Sequence, residues 1–324
     1  MNRRWFTHAI GWCGCLLGLS GAALAQGFPA KPLRFVVPFT AGSGTDIVAR
    51  TVGEAMARSL GQPVVIDNKP GAGGTIAAAL VAKGEADGHT LLIHSSGHAL
   101  NPAIYPNPGY DTLRDLTGIT PLAALPNVMV VSPQRGWKTL ADVVAAARAR
   151  PGALNYASAG VGSATHLNAE KFRLQAGIDA VHVPFKGTPE AISDVIGGRN
   201  DWFFAPLASA LPLIRDGKLL ALAVSTPQRA PALPQVPTTV EAGVPGSDYI
   251  FWVAMIAPSA TPAAVQRRLH EEASKALALP DVRERLARLG ADPFVLPTDT
   301  FNAFIRAEIE SAAAIARAAN LKAN

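Results

Sequence analysis

The sequence predicts an α/β protein in two domains, its parallel sheets covered by helices on both faces. Three observations predict this. Short β-rich runs alternate with helical stretches whose apolar residues recur at three-and-four spacing. Several strand ends open into small polar loops that begin helices at once. Two strand-like runs, NVMVVSP (127–133) and YIFWVAMIAP (249–258), bracket a self-contained βα block. If both are crossings, residues 27–126 plus 249–324 build one domain and 127–248 the other, with a ligand cleft between them. A single continuous sheet is the alternative.

In chain order the expected strands are 33–38, 63–66, 90–95, 128–132, 153–158, 181–185, 201–204, 219–225 and 249–257. The first helix carries Ile47, Val48, Val52, Met56 and Leu60 on one stripe, and Gly61 ends it. Thr139 with Asp142 forms a capping box, and Thr188-Pro189-Glu190 opens a further helix. From Thr261 onward the pattern is wholly helical.

Residues 1–25 stand apart from that fold. A basic start, an apolar stretch and Ala23-Leu24-Ala25 before Gln26 read as a cleavable secretory leader, too short to span a bilayer. Arg3-Arg4 matches a twin-arginine motif in part, which leaves the export route open. Both cysteines, Cys13 and Cys15, fall within the leader, so the mature chain has neither a thiolate nor a disulfide. The full chain has 29 Lys and Arg against 24 Asp and Glu; losing Arg3 and Arg4 leaves 27 against 24. That balance excludes a nucleic-acid binder and exerts only a mild pull on anions.

Four strand ends supply the candidate site. In PFTAGSGTD, Thr40, Gly42, Ser43, Gly44, Thr45 and Asp46 form a turn whose N–H groups can hold a carboxylate or phosphate. It matches neither the dinucleotide nor the P-loop fingerprint. A second glycine loop, Gly71 to Gly74, precedes a helix from Thr75, and Pro70-Gly71 there also reads as a plain turn. In HSSGHALNP, Ser95 and Ser96 offer hydroxyls; His94 and His98 have H-x3-H spacing but no third ligand for a metal.

ASAGVGSATHL is the most informative stretch: a strand ends at Ser158, and Ser163, Ala164, Thr165 and His166 give N–H groups, hydroxyls and an imidazole at a helix start. Lys186, Gly187 and Thr188 follow another strand, while Ala205, Pro206 and Trp252 add apolar surface. Without an acid–base pair, metal set or cofactor motif, this constellation favours binding over catalysis, and no cofactor is expected.

Together these segments resemble the Bug-type solute-binding proteins, the extracytoplasmic receptors of tripartite tricarboxylate transporters. The resemblance rests on RFVVPFTAGSGTDIVAR, GQPVVIDNKPGAGGTIAA, LNYASAGVGSATHL, VHVPFKG, GKLLALAVSTPQRAPALPQVPTTVEAGVPG and DVRERLARLGADP. It implies a periplasmic, monomeric, two-domain Venus-flytrap protein of type II with two crossing strands and a C-terminal helical segment. A ligand carboxylate would be held by residues 40–46 and 163–166, with membrane permease subunits as partners.

Three departures stand out: Ala41-Gly42-Ser43 in the first loop, Phe204-Ala205-Pro206 in place of Phe-Asp-Asn, and His94 where glycine is usual. They imply a carboxylate with a less polar, aromatic distal part. The alternatives are an exported enzyme using Ser163, His166 and Lys186 on a carboxylated substrate, and a sensory receptor.

Overall fold

A computed structural model describes residues 27–323. The expected leader, with its cysteines and arginine pair, lies outside the described residues.

Apolar runs after short polar loops build β1 (Leu33–Val37), β2 (Val64–Asn68), β3 (Thr90–Ser95) and β4 (Leu116–Leu125). The chain then passes Pro126 into β5 (Asn127–Val131), β6 (Asn155–Ser158), β7 (Val181–Pro184), β8 (Trp202–Pro206) and β9 (Leu220–Val224). It returns as β10 (Phe251–Pro258) and the short β11 (Asp292–Pro293). Two sheets result, in the orders β11-β4-β10-β3-β1-β2 and β7-β6-β8-β5-β9.

Each sheet is mixed rather than purely parallel. β10 runs antiparallel to β3 and β4, and β5 antiparallel to β8 and β9. The reason is topological: each of these strands enters its sheet from the other sheet, not through a right-handed βαβ crossover. Ser225 stitches the two crossings together. Its N–H donates to Asn127 O (2.8 Å), its hydroxyl to Tyr249 O (2.8 Å), and the Asn127 N–H donates to its Oγ (3.2 Å).

The helices are α1 (Gly44–Leu60), α2 (Thr75–Ala82), α3 (Gly97–Ile104), α4 (Leu140–Ala149), α5 (Ala164–Ala176), α6 (Thr188–Ile196), α7 (Leu207–Arg215), α8 (Ala263–Ala278), α9 (Pro280–Arg288) and α10 (Thr298–Ala318). Left-handed Gly61 ends α1. Thr139 and Asp142 close the expected capping box on α4. Gly187, not Thr188, is the N-cap of α6. The last quarter is not wholly helical, because β11 adds an edge strand to β4 between α9 and α10.

Each sheet has its own apolar core. Phe35, Val37, Leu91 and Val253 centre the first; Tyr156, Phe172, Trp202 and Phe204 pack in the second. Strand β4 and helices α3 and α7 were not expected from the sequence; α7 begins after Pro206 and α3 ends before Tyr105, both of which line the site.

Candidate functional site

The C-terminal ends of β1 and β3 in the first sheet face those of β6, β7 and β8 in the second. Two helix starts meet there. At α1, Ser43 is the N-cap, but its hydroxyl does not cap its own helix. It instead accepts the Thr188 N–H (3.3 Å) from the other sheet. The Gly42 and Ser43 N–H groups are also used, by Asp46 Oδ2 (2.9 Å) and Thr40 O (3.2 Å). The N–H groups of Gly44, Thr45 and Asp46 make no hydrogen bond among the described residues, as a helix's first turn leaves them.

At α5, Ser163 caps the helix through the His166 N–H (3.3 Å). Thr165 Oγ1 accepts the Ala159 N–H (2.9 Å) and bonds Ser163 Oγ (3.0 Å), locking the loop against the helix. The Ala164 and Thr165 N–H groups have no partner among the described residues. Between the two starts lies a cavity of ≈ 10 Å³, room for about one water-sized group. Ser43, Gly44, Thr45, Ser95, Ser163, Ala164, Thr165, Thr188 and Pro206 line it, closed by Phe39, Ala159 and Phe251.

Ser95 is fully buried, and its Oγ has no partner among the described residues. Two helix dipoles, free N–H groups and the buried, unpaired Ser95 hydroxyl therefore converge on a space with no lysine or arginine in its wall. Such a cradle suits one end of a small anion.

Past Phe39 and Ala159 the cavity borders an outer groove of ≈ 690 Å³, walled by Pro38, Tyr105, Val161, Phe185 and the exposed Lys186 and Lys322, with Glu190 at its rim. Thr40 sits at this rim, donating to Glu190 Oε2 (2.9 Å) across the gap. Ser209 of α7 likewise donates to Gly42 O (3.0 Å). Gly187 is in contact with Thr40: a Cβ built on it would lie 1.9 Å from Thr40 Oγ1.

Several sequence-based expectations need correction. Asp46 does not face the cavity; it accepts from Gly42, Arg50 Nε (2.9 Å) and Asn68 Nδ2 (2.9 Å), so it is the brace of the loop. His166 turns its ring to the far side, where Nδ1 accepts the Gly162 N–H (3.3 Å) and the ring stacks on His182 at 3.9 Å. Burial, with a smaller contribution from Arg173, pushes it down to about 4, so it is neutral. Ser158 bonds His182 Nε2 (2.6 Å) behind the loop.

Ser96 and Trp252 also point away. The Ser96 hydroxyl pairs with Tyr249 Oη (2.8 Å), and the Trp252 N–H donates to Glu308 (3.0 Å). Their neighbours Ser95 and Phe251 line the cavity instead: Phe251 and Trp252 face opposite sides of β10, while Ser96 has already left β3 for the turn that starts α3. Ala205 lies in the core of the second sheet. No Ser163 side chain to His166 ring bond exists to activate a nucleophile. His94 and His98 stand 5.5 Å apart, both buried, and among the described residues no three metal-ligating side chains converge. Phe39, Ala159, Phe251 and Tyr105 were missed.

A family model described as the tripartite tricarboxylate transporter family receptor matches residues 48–321. The chain belongs to this family. BugT of Bordetella pertussis is 34% identical over 324 residues, covering 99% of each chain. The R. palustris protein Rpa4515 with adipate superposes with a TM-score of 0.88 at 34% identity, over 91% of this chain and 99% of that one. MatC from Rhodopseudomonas palustris with bound malate gives 0.84 at 34%, over 89% and 99%. The fold is thus the periplasmic-binding-protein fold of Bug-type receptors, and the family is one of solute receptors, not enzymes. Among the described residues no helix is long and apolar enough to cross a membrane.

Proposed function

We propose that this receptor is exported by its leader to the periplasm and captures an organic carboxylate between two lobes. Residues 27–126 and 249–324 form the first lobe and 127–248 the second, hinged where Ser225 ties the crossings. One carboxylate occupies the small cavity and takes hydrogen bonds from the free N–H groups of α1 and α5 and from Ser95. The rest of the ligand passes Phe39 into the outer groove, whose Pro38, Tyr105 and Phe185 suit an apolar or aromatic body. Closing then presents the loaded monomer to membrane permease subunits.

The observation that carries this reading is the pair of facing helix starts with unpaired N–H groups around a buried, unpaired hydroxyl. The adipate and malate held by two relatives support the ligand class. Thermal unfolding of residues 26–324 against millimolar mono-, di-, tri- and aromatic carboxylates tests it. An acid at about a hundredfold its Kd stabilises the fold by roughly 2.7 kcal/mol. Stabilisation by a few acids without their consumption supports the reading; no response to any acid, in protein shown free of carried-over ligand, overturns it.

A further inference from the structure

We infer that Tyr105, outside the anion cavity and in none of the loops that build it, is a positioning residue of the binding site: it latches the α5 loop of the second lobe onto the first lobe and sets how long the cleft stays shut. This rests on the reading of the cleft as the ligand site, but the latch is made of protein atoms alone.

Tyr105 follows α3, and its hydroxyl crosses the cleft to donate to Val161 O (2.8 Å). That carbonyl has no other hydrogen-bond partner among the described residues. Burial, aided by nearby Tyr110, pushes the phenol up to about 12, so it remains a donor at any ordinary pH.

The surroundings are shaped for the same docking. A Cβ on Gly73 of the first lobe would meet Val161 O at 2.2 Å, and one on Gly97 would meet Gly162 O at 2.8 Å and Ala164 N at 2.9 Å. Two bare backbone positions thus let the α5 loop lie flat on the first lobe, and Tyr105 supplies the directional bond. Val161, Gly162 and Ala164 lead directly into the free N–H groups that would hold the carboxylate. Fixing this loop through the phenol hydroxyl fixes their aim, separately from any contact the Tyr105 ring makes with the ligand body in the outer groove.

In an open cleft the phenol and the carbonyl are each solvated, so the bond favours only the closed state. A net hydrogen bond of this kind changes the closed-to-open ratio roughly 2- to 10-fold. The consequence falls on dissociation: a weaker latch shortens the closed complex and leaves association unchanged.

The test uses the cysteine-free mature chain with spin labels at Val65→Cys and Val181→Cys, exposed positions on the edge strands of the two sheets. Inter-lobe distances are measured without ligand in the parent and in Tyr105→Phe, which keeps the ring. The expected result is a closed population in the parent and a closed-to-open ratio that falls roughly 2- to 10-fold in the variant, with an unchanged unfolding midpoint. Identical distributions, no closed population in either protein, or a lowered midpoint with unchanged distances would overturn the latch. Dissociation of adipate, followed by stopped flow, should accelerate by the same factor at constant association rate. If Tyr105→Phe opens the cleft while no acid binds either protein, the carboxylate reading fails and the latch stands.

Discussion

Replacing Gly187 by alanine should hold the cleft ajar. The backbone there is fully extended (φ −175°, ψ −178°), a conformation any residue adopts, so the change adds no backbone strain. The conflict lies across the gap. The new methyl would sit 1.9 Å from Thr40 Oγ1, 2.9 Å from Ser43 Oγ and 3.0 Å from Thr40 N. Thr40 can swing its hydroxyl away only by releasing Glu190, and its backbone N cannot move without the loop.

Relief to an ordinary contact of about 3.5 Å separates the lobes locally and strains the neighbouring Thr188 N–H to Ser43 bond, already 3.3 Å long. Losing both the Thr40–Glu190 and the Thr188–Ser43 bond, at about 0.5–1.5 kcal/mol each, costs closure roughly 1–3 kcal/mol in total. Ligand affinity should therefore fall roughly 5- to 150-fold. Stability of the ligand-free protein should hold or rise by about 0.4–1 kcal/mol, because alanine restricts the unfolded chain. Titration calorimetry reads the first quantity and urea denaturation the second. Undiminished affinity would refute the reasoning, since the shut arrangement would then not be the one that binds.

The remaining predictions concern the cradle and its supports. Ser95→Ala should weaken carboxylate binding roughly 3- to 10-fold with little effect on the free protein, and unchanged calorimetric affinity would remove Ser95 from the site. Ser163→Ala combined with Thr165→Val should loosen the α5 loop and cost affinity at least tenfold; binding at parental strength would argue that the N–H groups hold their aim without those hydroxyls. Asp46→Ala should destabilise the fold by about 2 kcal/mol, because it strands the Gly42 and Asn68 donors, and a parental urea midpoint would contradict that bracing role.

Acid should also weaken the fold. His166 and His182, stacked among Tyr156, Ser158, Glu170 and Arg173, are held down to about 4 and about 3, mainly by burial. The unfolded chain protonates them first, so stability is intact above pH 6.5 and falls as pH drops toward 4. The slope is up to about 1.4 kcal/mol per pH unit per histidine. A flat urea midpoint between pH 7 and pH 5 would contradict this, and His182→Gln should flatten the curve.

What could be read from the sequence followed physical contrast. Strands such as 33–37 are apolar runs broken only by Arg34, and the loops after them announce helices by serine, threonine and glycine. Strand β4 was illegible because LTGITPLAAL contains Gly118 and Pro121. Its pairing with β10 is interrupted by register shifts between Val253 and Ala254 and between Met255 and Ile256, irregularities that let a sheet tolerate proline. Helix α3 was hidden for a similar reason, carrying Gly97 at its start and Pro102 inside. Tyr105 went unnoticed with it.

Within the site, the two helix starts were legible because a cap residue and a glycine turn are local signals. Which face a strand residue takes is not local: Phe251 rather than Trp252 meets the cavity through a one-residue alternation set by the sheet, and Ser95 rather than Ser96 because β3 ends there and the chain turns into α3. His166 illustrates the other limit. Position in a helix's first turn does not say which way a ring turns, and here the neighbouring His182 decided it.

The absence of any lysine or arginine from the cavity wall has a consequence for unloading. An anion held by amide dipoles and the Ser95 hydroxyl feels a pull that dies within a few ångströms, so once the lobes part, water takes over each donor and only the exposed Lys186 and Lys322 of the outer groove still attract the departing solute. The grip then resides in the closing of the hinge rather than in attraction of charge for charge. A membrane partner that prised the lobes apart would have to overcome mainly the closing energy, and surrounding salt would act on capture and release only through those two groove lysines.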